Sequence, residues 1–348
     1  MKQLQTQNEI VNPTQALQHE VLTRTFLRLA SINDLRILVK TEFSTLLECI
    51  NNDPYTEFSI PKKKGGTRLI SAPNAPLIQV QNQLNNFLKA VYYSYKPACA
   101  HGFIYKPEDV NESHNIVSNA QVHVAMKFVM NIDLEDYFPS IKASRVRKLF
   151  KSKYFQFNDD VALTLALLLT RNGSLPTGAP TSPVVANLIT MPLDRELMKY
   201  CLINNIDYTR YADDLTFSTN DFIADETIAQ IKAIIVKHKF KVNEKKFRIQ
   251  SAMRQQKVTG LVVNQKVNVD RKYIKQIRAI LHHVKTTDVA SACAKHYKLK
   301  HIPTKEEMNQ FIYRIKGMIV FVSMVRGKDD SIVKRFKKDF NELNLVIQ

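Results

Sequence analysis

Long apolar runs are missing from this chain. No stretch of about 18 apolar residues occurs in its 348 residues, which excludes a transmembrane helix. The opening "MKQLQTQNEIVNPTQ" is polar, lacks an apolar h-region and reads as a loose tail rather than a secretory signal. Cysteine is sparse: Cys49, Cys99, Cys201 and Cys293 stand far apart, with no CxxC pair and no zinc spacing, as expected of a chain in a reducing cytosol. Only eight glycines occur, and those at 65, 66, 102, 173, 178 and 260 fall at or beside strand and turn segments. They mark places where backbone must bend or a ligand must come close. Internal repeats and low-complexity segments are also absent.

Acidic residues are few beside basic ones, 32 Asp and Glu against 50 Lys and Arg, a formal charge of +18. With 45% hydrophobic residues the chain is globular, and its length allows two or three domains around an ample core. A charge excess this large marks a polyanionic partner more often than mere solubility. From Lys266 onward there are 18 Lys and Arg against 8 Asp and Glu, so the last quarter carries +10 of the +18. No segment pairs this charge with an apolar anchoring face, which favours nucleic acid over membrane.

Periodicity gives an alternation of helices and strands. Residues 18–50 read as helical. "FSIPKKKGGTRLISAP" reads as strand, turn and strand with Gly65-Gly66 in the turn, and "LIQVQNQLNNFLKAVYYSY" as a helix. "HGFIY" is a short extended piece. "FVMNIDL" is a buried strand, followed by the turn "EDYFPS" and the basic helix "ASRVRKLFKSK". "DDVALTLALLLTRN" is a helix ended by Gly173. "TSPVVANLITMPLDRELMKYCL" is a long helix with Thr181 or Ser182 as N-cap and Pro183 in its first turn. "DYTRYADDLTFST" reads as a hairpin, "DETIAQIKAIIVKHKF" as a helix and "KVTGLVVN" as a strand, with only helices from about Asp270 onward.

Two acidic sites stand out. Asp133 closes the apolar run "FVMNI", and a carboxylate at the end of a buried strand needs a partner. Asp213 and Asp214 lie side by side in "YADD", where strand alternation would send them to opposite faces unless a tight turn intervenes. Taken singly, an N-cap or structural ion pair explains Asp133 as well, and four residues such as "YADD" recur by chance. If the hairpin lies beside the strand of Asp133, carboxylates converge from two strands. Hard oxygen ligands of this kind hold Mg²⁺, and two ions about 3.5–4 Å apart form the clamp of phosphoryl transfer.

Six segments follow the order of the reverse transcriptase motifs, and over about residues 55–265 the chain resembles that family. "PKKKGGTRLISAPNAPLIQVQ" resembles the fingers motif, "NIDLEDYFPSI" the first catalytic palm motif, and "LPTGAPTSPVVANLI" the template-contacting motif. "YTRYADDLTFS" resembles the second catalytic motif, "FKVNEKKFRI" the lysine motif and "KVTGLVVN" the primer grip. "NAQVH" (119–123) and "VTG" (258–260) are similar to the two signatures of retron reverse transcriptases.

The resemblance implies an α+β right-hand polymerase. A helical extension would cover 1–50, fingers with part of the palm 51–130, the palm 131–265 with a fingers insertion at about 142–175, and a basic helical thumb 266–348. It implies that Asp133 and Asp213 ligate Mg²⁺ (two ions, with Mn²⁺ as substitute), that the Leu134 carbonyl assists, and that Asp214 is the adjacent required carboxylate. Lys62, Lys63, Lys64 and Arg68 would grip the incoming dNTP near Asp136, although an exposed basic turn is common. Phe138 takes the place of the steric gate against a 2′-OH, unless it is ordinary core. Thr177 stands where many relatives have Gln, which weakens the case for a direct nucleotide contact there. Gly178 still permits close approach. Lys246, or Lys245, would protonate pyrophosphate as general acid, against the reading of charged surface. Asn119, Ala120, His123, Val258, Thr259 and Gly260 carry the retron signatures, with His123 open between RNA contact and scaffold. Arg271, Lys275, Arg278 and His282 share one side of a thumb helix and would track a duplex.

The expected function is then RNA-directed DNA synthesis on a cognate structured non-coding RNA, primed from the 2′-OH of an internal guanosine. The branched msDNA product would stay bound. The setting would be the bacterial cytoplasm, in an anti-phage system with a separate effector protein and no membrane partner. Against a group II intron-like enzyme, the sequence beyond the thumb is too short for maturase and endonuclease segments. Against a non-catalytic RNA-binding scaffold, all three aspartates are intact.

Overall fold

The computed structural model describes residues 13–62, 65–105 and 112–343. In chain order they form α1 (Pro13–Leu27), α2 (Ile32–Leu38), α3 (Phe43–Asn51), β1 (Tyr55–Pro61), β2 (Thr67–Pro73), α4 (Ala75–Tyr95), α5 (Ile116–Gln121), β3 (Phe128–Asp133), α6 (Ala143–Phe150), α7 (Asp159–Leu169) and α8 (Ser182–Ile203). There follow β4 (Asp207–Tyr211), β5 (Asp214–Thr219), α9 (Asp225–Lys237), β6 (Arg248–Ser251), β7 (Lys257–Val258), β8 (Leu261–Val262), α10 (Arg271–Thr286), α11 (Val289–Tyr297), α12 (Lys305–Arg326) and α13 (Ser331–Glu342). The chain divides into two compact units, residues 1–115 with 130–249, and residues 116–129 with 250–348.

In the first unit, β1 and β2 pair antiparallel from Tyr55↔Pro73 to Pro61↔Thr67. Gly65 and Gly66 close this hairpin at φ +91° and +77°, which side chains with a Cβ rarely adopt. The main sheet runs β4-β5-β3-β6. Its strand β3 is buried from Val129 to Asp133, as the apolar run required. Behind it, α8 buries Val184, Val185, Leu188, Leu193 and Leu197. Phe26, Phe150, Phe155 and Phe157 pack ring against ring between α1, α6 and the segment before α7. Each buried ring contributes about 1.5–3 kcal/mol by leaving water.

The second unit is a helical core. Ile274, Ile277, Leu281 and Val284 of α10 pack with Phe311, Ile315, Ile319 and Val322 of α12, with Val333 and Phe336 of α13, and with Ala120, Val258 and Leu261. Here "KVTGLVVN" is not one strand. It is a tight hairpin of β7 and β8, turned by Thr259 and Gly260 at φ +47° and +85°. Two successive positive φ values are those of a type I′ turn, one of the two common two-residue hairpin turns. Two further expectations need correction. The helical run at 18–50 is broken into three helices, α2 opening on a capping box between Ser31 and Asp34. The start of α8 lacks a side-chain cap bond: Thr181 occupies the N-cap position, but its buried hydroxyl has no partner among the described residues. The Ser182 hydroxyl turns back to donate to the Pro176 carbonyl at 2.7 Å.

The segment before α5 explains one scarce glycine. Residues 99–102 run parallel to β4, with Arg210 N donating to Cys99 O at 2.8 Å and His101 N to Arg210 O at 2.9 Å. A Cβ on Gly102 would lie 2.6 Å from the Ala212 nitrogen and 3.1 Å from the Tyr211 carbonyl carbon. These are backbone atoms and cannot swing away. Gly102→Ala is therefore expected to destabilise the chain by about 1–3 kcal/mol, as overpacking does. Chemical denaturation checks this, and an unchanged midpoint would contradict it.

Candidate active site

The acidic hairpin turns one residue earlier than a turn at the aspartate pair would. Tyr211 pairs with Asp214, so Ala212 and Asp213 form the two-residue turn rather than the two aspartates. Ala212 sits at φ +57°, a conformation that costs a residue with a Cβ about 1–2 kcal/mol. The turn takes Asp213 out of the strand alternation and leaves it near enough to Asp133 for that charge to act on its carboxyl. Its carbonyl accepts from Leu134 N at 2.9 Å, which fastens the turn to the residue after Asp133.

Asp133 is buried and fully engaged. Its Oδ2 meets Lys246 Nζ at 2.8 Å, its Oδ1 accepts from Asn243 Nδ2 at 3.1 Å, and its carbonyl accepts from Asn243 N at 2.8 Å. The carboxyl of Asp213 is raised by burial first and by Asp133 second, with Lys246 and Arg68 opposing. Asp214 is pushed up to about 7, again by burial first, then by Asp213 and Asp133. Its side chain keeps contact with solvent, which screens part of that repulsion. Two carboxylates that resist ionising beside a third make a site short of positive charge.

The other expected residues divide. Arg68 is exposed on β2 opposite Ile60, and its charge reaches Asp213. Lys63 and Lys64 lie outside the described residues. Asp136 is exposed at φ +45°, its carbonyl closing a turn onto Ser140 N at 2.8 Å. Phe138 is half-buried, with ring centroids 5.3 Å from Tyr137 and 6.4 Å from Phe103. Phe103 in turn lies 6.4 Å from Tyr211 of the turn. Gly178, at φ +129°, makes its close approach to β2: a Cβ there would stand 2.8 Å from Ser71 O and from Ile70 Cγ2. Ser71 N donates to Thr177 O at 2.8 Å, so this loop tethers the strand of Arg68. Lys246, rather than Lys245, is the lysine brought to the aspartates.

Within the second unit, Asn119, Ala120 and His123 are fully buried. The Asn119 amide has no partner among the described residues. Thr259 Oγ1 donates to Ile116 O at 3.2 Å, bringing the 119–123 and 258–260 segments together, with Gly260 exposed at the tip. Arg271, Lys275, Arg278 and His282 are all exposed on α10, away from its buried isoleucines.

Sequence reasoning missed the layer under the turn. Asp194 of α8 and Arg210 of β4, both without solvent contact, form an ion pair at 2.7 Å, joined by Asn187, Tyr208 and Tyr137. A signal existed: Asn187, Thr190 and Asp194 fall at spacings of three and four, a polar stripe inside an apolar helix. Asn243 was missed as well, and nothing in its local pattern marks it.

Among the described residues no ready-made cluster of three His, Cys, Asp or Glu ligands exists. The donors present still fit a divalent ion. The side-chain donors are carboxylates that repel one another, and an ammonium already stands on Asp133 as a substitute cation. Mg²⁺ takes few protein carboxylates and completes its shell from water and phosphate.

Residues 60–263 match the family model described as reverse transcriptase (RNA-dependent DNA polymerase), and the chain belongs to that family. The family brings a requirement for a divalent metal. Within it, the chain sits with the retron reverse transcriptases. It is 34% identical over 263 residues to the Retron Mx65 reverse transcriptase of Myxococcus xanthus, covering 70% of this chain and 58% of that one. It is 36% identical over 197 residues to the Retron Ec86 reverse transcriptase of Escherichia coli, covering 55% and 58%. With the Retron Ec73 reverse transcriptase of Escherichia coli it shares 33% over 250 residues, covering 65% and 73%. The matches to the first two thus span under three fifths of those relatives' length. Among solved structures, telomerase from Candida albicans with a TWJ fragment of telomeric RNA is similar at TM-score 0.46 and 9% identity, over 83% of this chain and 63% of that one. Apo telomerase from Candida Tropicalis is similar at TM-score 0.46 and 10% identity, over 83% and 62%. Among the described residues no helix is long and apolar enough to cross a membrane.

The raised aspartates give a pH signature without metal. Between the ordinary 3.8 and about 7, the folded chain holds protons that the unfolded chain has released. This contribution to stability is therefore lost as pH rises through the window. His101, pushed down to about 4 by burial and then by His114 and Lys96, acts in the opposite sense, so a comparison is needed. Asp213→Asn with Asp214→Asn should melt at a temperature that gains on wild type as pH rises to 8. Added Mg²⁺ should close the gap by stabilising only the wild type. A pH-independent difference would contradict the repulsion.

Proposed function

We propose that the chain is an RNA-directed DNA polymerase that copies a cognate structured non-coding RNA from the 2′-OH of an internal guanosine. The branched RNA–DNA product stays bound. The observation that carries this reading is the conjunction of an intact aspartate turn with the two signature segments. Thr259 Oγ1 bonds to Ile116 O at 3.2 Å, so the segments form one element, with the buried Asn119 and His123 as support and Gly260 at the exposed tip. Retron relatives at 33–36% identity support the same assignment.

In this reading, residues 51–130 serve as fingers, 131–265 as palm and 266–348 as thumb. Asp133, Asp213 and the Leu134 carbonyl hold two Mg²⁺ ions, with Asp214 beside them. Bound divalent ions supply the acidification of the attacking hydroxyl and the neutralisation of the triphosphate. Arg68 orients the triphosphate of the dNTP. Lys246, whose ammonium stands 2.8 Å from Asp133, would donate a proton to the leaving pyrophosphate as general acid. Arg271, Lys275, Arg278 and His282 hold the duplex through its phosphates, with the salt sensitivity such contacts carry. The retron likeness extends the proposal to an anti-phage system in the bacterial cytoplasm with a separate effector protein.

Coexpression with the neighbouring non-coding RNA tests the core of this. The purified protein should carry short single-stranded DNA joined to RNA, whose 5′ end resists kinase labelling until a debranching enzyme cuts the 2′–5′ link. A free 5′ end would reject branched priming. The gate is tested separately. Phe138→Val removes the ring that Phe103 and Tyr137 back, and ribonucleotide incorporation should rise relative to dNTP use. An unchanged ratio would return Phe138 to the core.

A further inference from the structure

We propose that Arg210, locked by Asp194, is the positioning residue of the aspartate turn. It lies three positions before Asp213, and its side chain is among the largest that are fully buried. Asp194 grips it in a fork: Nε donates to Oδ1 at 2.8 Å and Nη2 to Oδ2 at 2.7 Å. Tyr208 donates its hydroxyl to the same Oδ1 at 2.9 Å. The fork fixes the guanidinium plane and leaves Nη1 pointing forward along the strand.

There Nη1 meets Asn187 Oδ1 at 2.8 Å, Ala212 O at 3.1 Å and Tyr137 OH at 3.3 Å. The contact with Ala212 O is decisive, because Ala212 is the positive-φ residue beside Asp213 in the turn. The Tyr137 hydroxyl has a single proton. The Thr190 hydroxyl already donates to Ala186 O at 2.7 Å, so Tyr137 donates to Thr190 at 2.9 Å and accepts from Arg210. Tyr137 precedes Phe138 and follows Asp133 by four residues. One guanidinium therefore touches both acidic segments from below. Asn187 adds a third tie, donating from Nδ2 to Gly102 O at 2.9 Å, against the glycine that packs on the turn.

Stability alone does not account for this pair. Removing two charges from water is costly, and well-packed apolar residues of similar size often serve stability as well or better. Such residues cannot donate to Ala212 O. Lysine keeps the charge but not the planar fork. What the buried pair adds is direction.

The inference rests on the polymerase reading, so the assay uses an annealed DNA primer on a generic RNA template. Wild-type extension there secures that reading before variants are compared, independently of branched priming. Two variants are made in the full chain, Arg210→Lys and the apolar double Asp194→Leu with Arg210→Met. Both should fold by circular dichroism and bind RNA and dNTP with wild-type Kd and KM. Their kcat should fall about 10²-fold, the scale of a displaced reacting group. Tyr208→Phe loses a bond to Asp194 but nothing that reaches Ala212, and should keep the wild-type kcat. A folded double variant or Arg210→Lys with wild-type kcat overturns the proposal. So does an equal loss in Tyr208→Phe, which would make the rate a readout of core packing. Arg210→Lys keeps a charge opposite Asp194 and decides the matter should the double variant not fold.

Discussion

Repulsion between carboxylates on neighbouring strands is the constraint that organises this molecule. Asp133 ends β3, Asp214 begins β5, and Asp213 lies in the turn between β4 and β5, so three acidic groups come together with Lys246 as the one cation paired to them, on Asp133, among the described residues. Burial and mutual repulsion hold Asp213 and Asp214 toward their protonated forms. A fold selected for stability alone would separate them. This one spends hydrogen bonds to keep them together: Leu134 N on Asp213 O, Asn243 on both ends of Asp133, and Lys246 on its remaining oxygen.

The surrounding architecture follows from that demand. A two-residue turn with a strained Ala212 is needed to place Asp213, and strain of this kind persists only where neighbours over-determine it. Those neighbours are Gly102, which fits because it has no side chain, and the Asp194–Arg210 pair beneath. The β1–β2 hairpin is fastened to the same region by Ser71 on Thr177 and by the Gly178 contact, which sets where Arg68 can act. The second unit has a different logic. Its apolar core carries an outward row of cations on α10, Arg271, Lys275 and Arg278.

Much of this was legible in the residues. The glycine pair marked the β1–β2 turn, the apolar run before Asp133 marked a buried strand, and "YADD" between β-formers marked a hairpin. These are local signals, readable within a few residues. What the sequence hid depends on pairs distant in the chain. Arg210 reads as one more cation in a basic protein until Asp194 closes on it from α8. Gly178 reads as room for a ligand, whereas its near neighbour is β2. "KVTGLVVN" reads as one strand because its apolar residues flank the turn on both sides, and only the positive φ of Thr259 reveals the reversal. Thr181 satisfies the composition rule for a cap yet makes no cap bond, since its backbone is already helical.

The central claim is that the carboxylates are held together to receive divalent ions. The most direct measurement is anomalous diffraction from crystals of the chain soaked with Mn²⁺ and a dNTP. The account predicts anomalous density between Asp133 and Asp213, with Lys246 Nζ withdrawn from Asp133 Oδ2. Crystals that bind dNTP yet show no anomalous density there, and keep the Lys246–Asp133 ion pair, would contradict it.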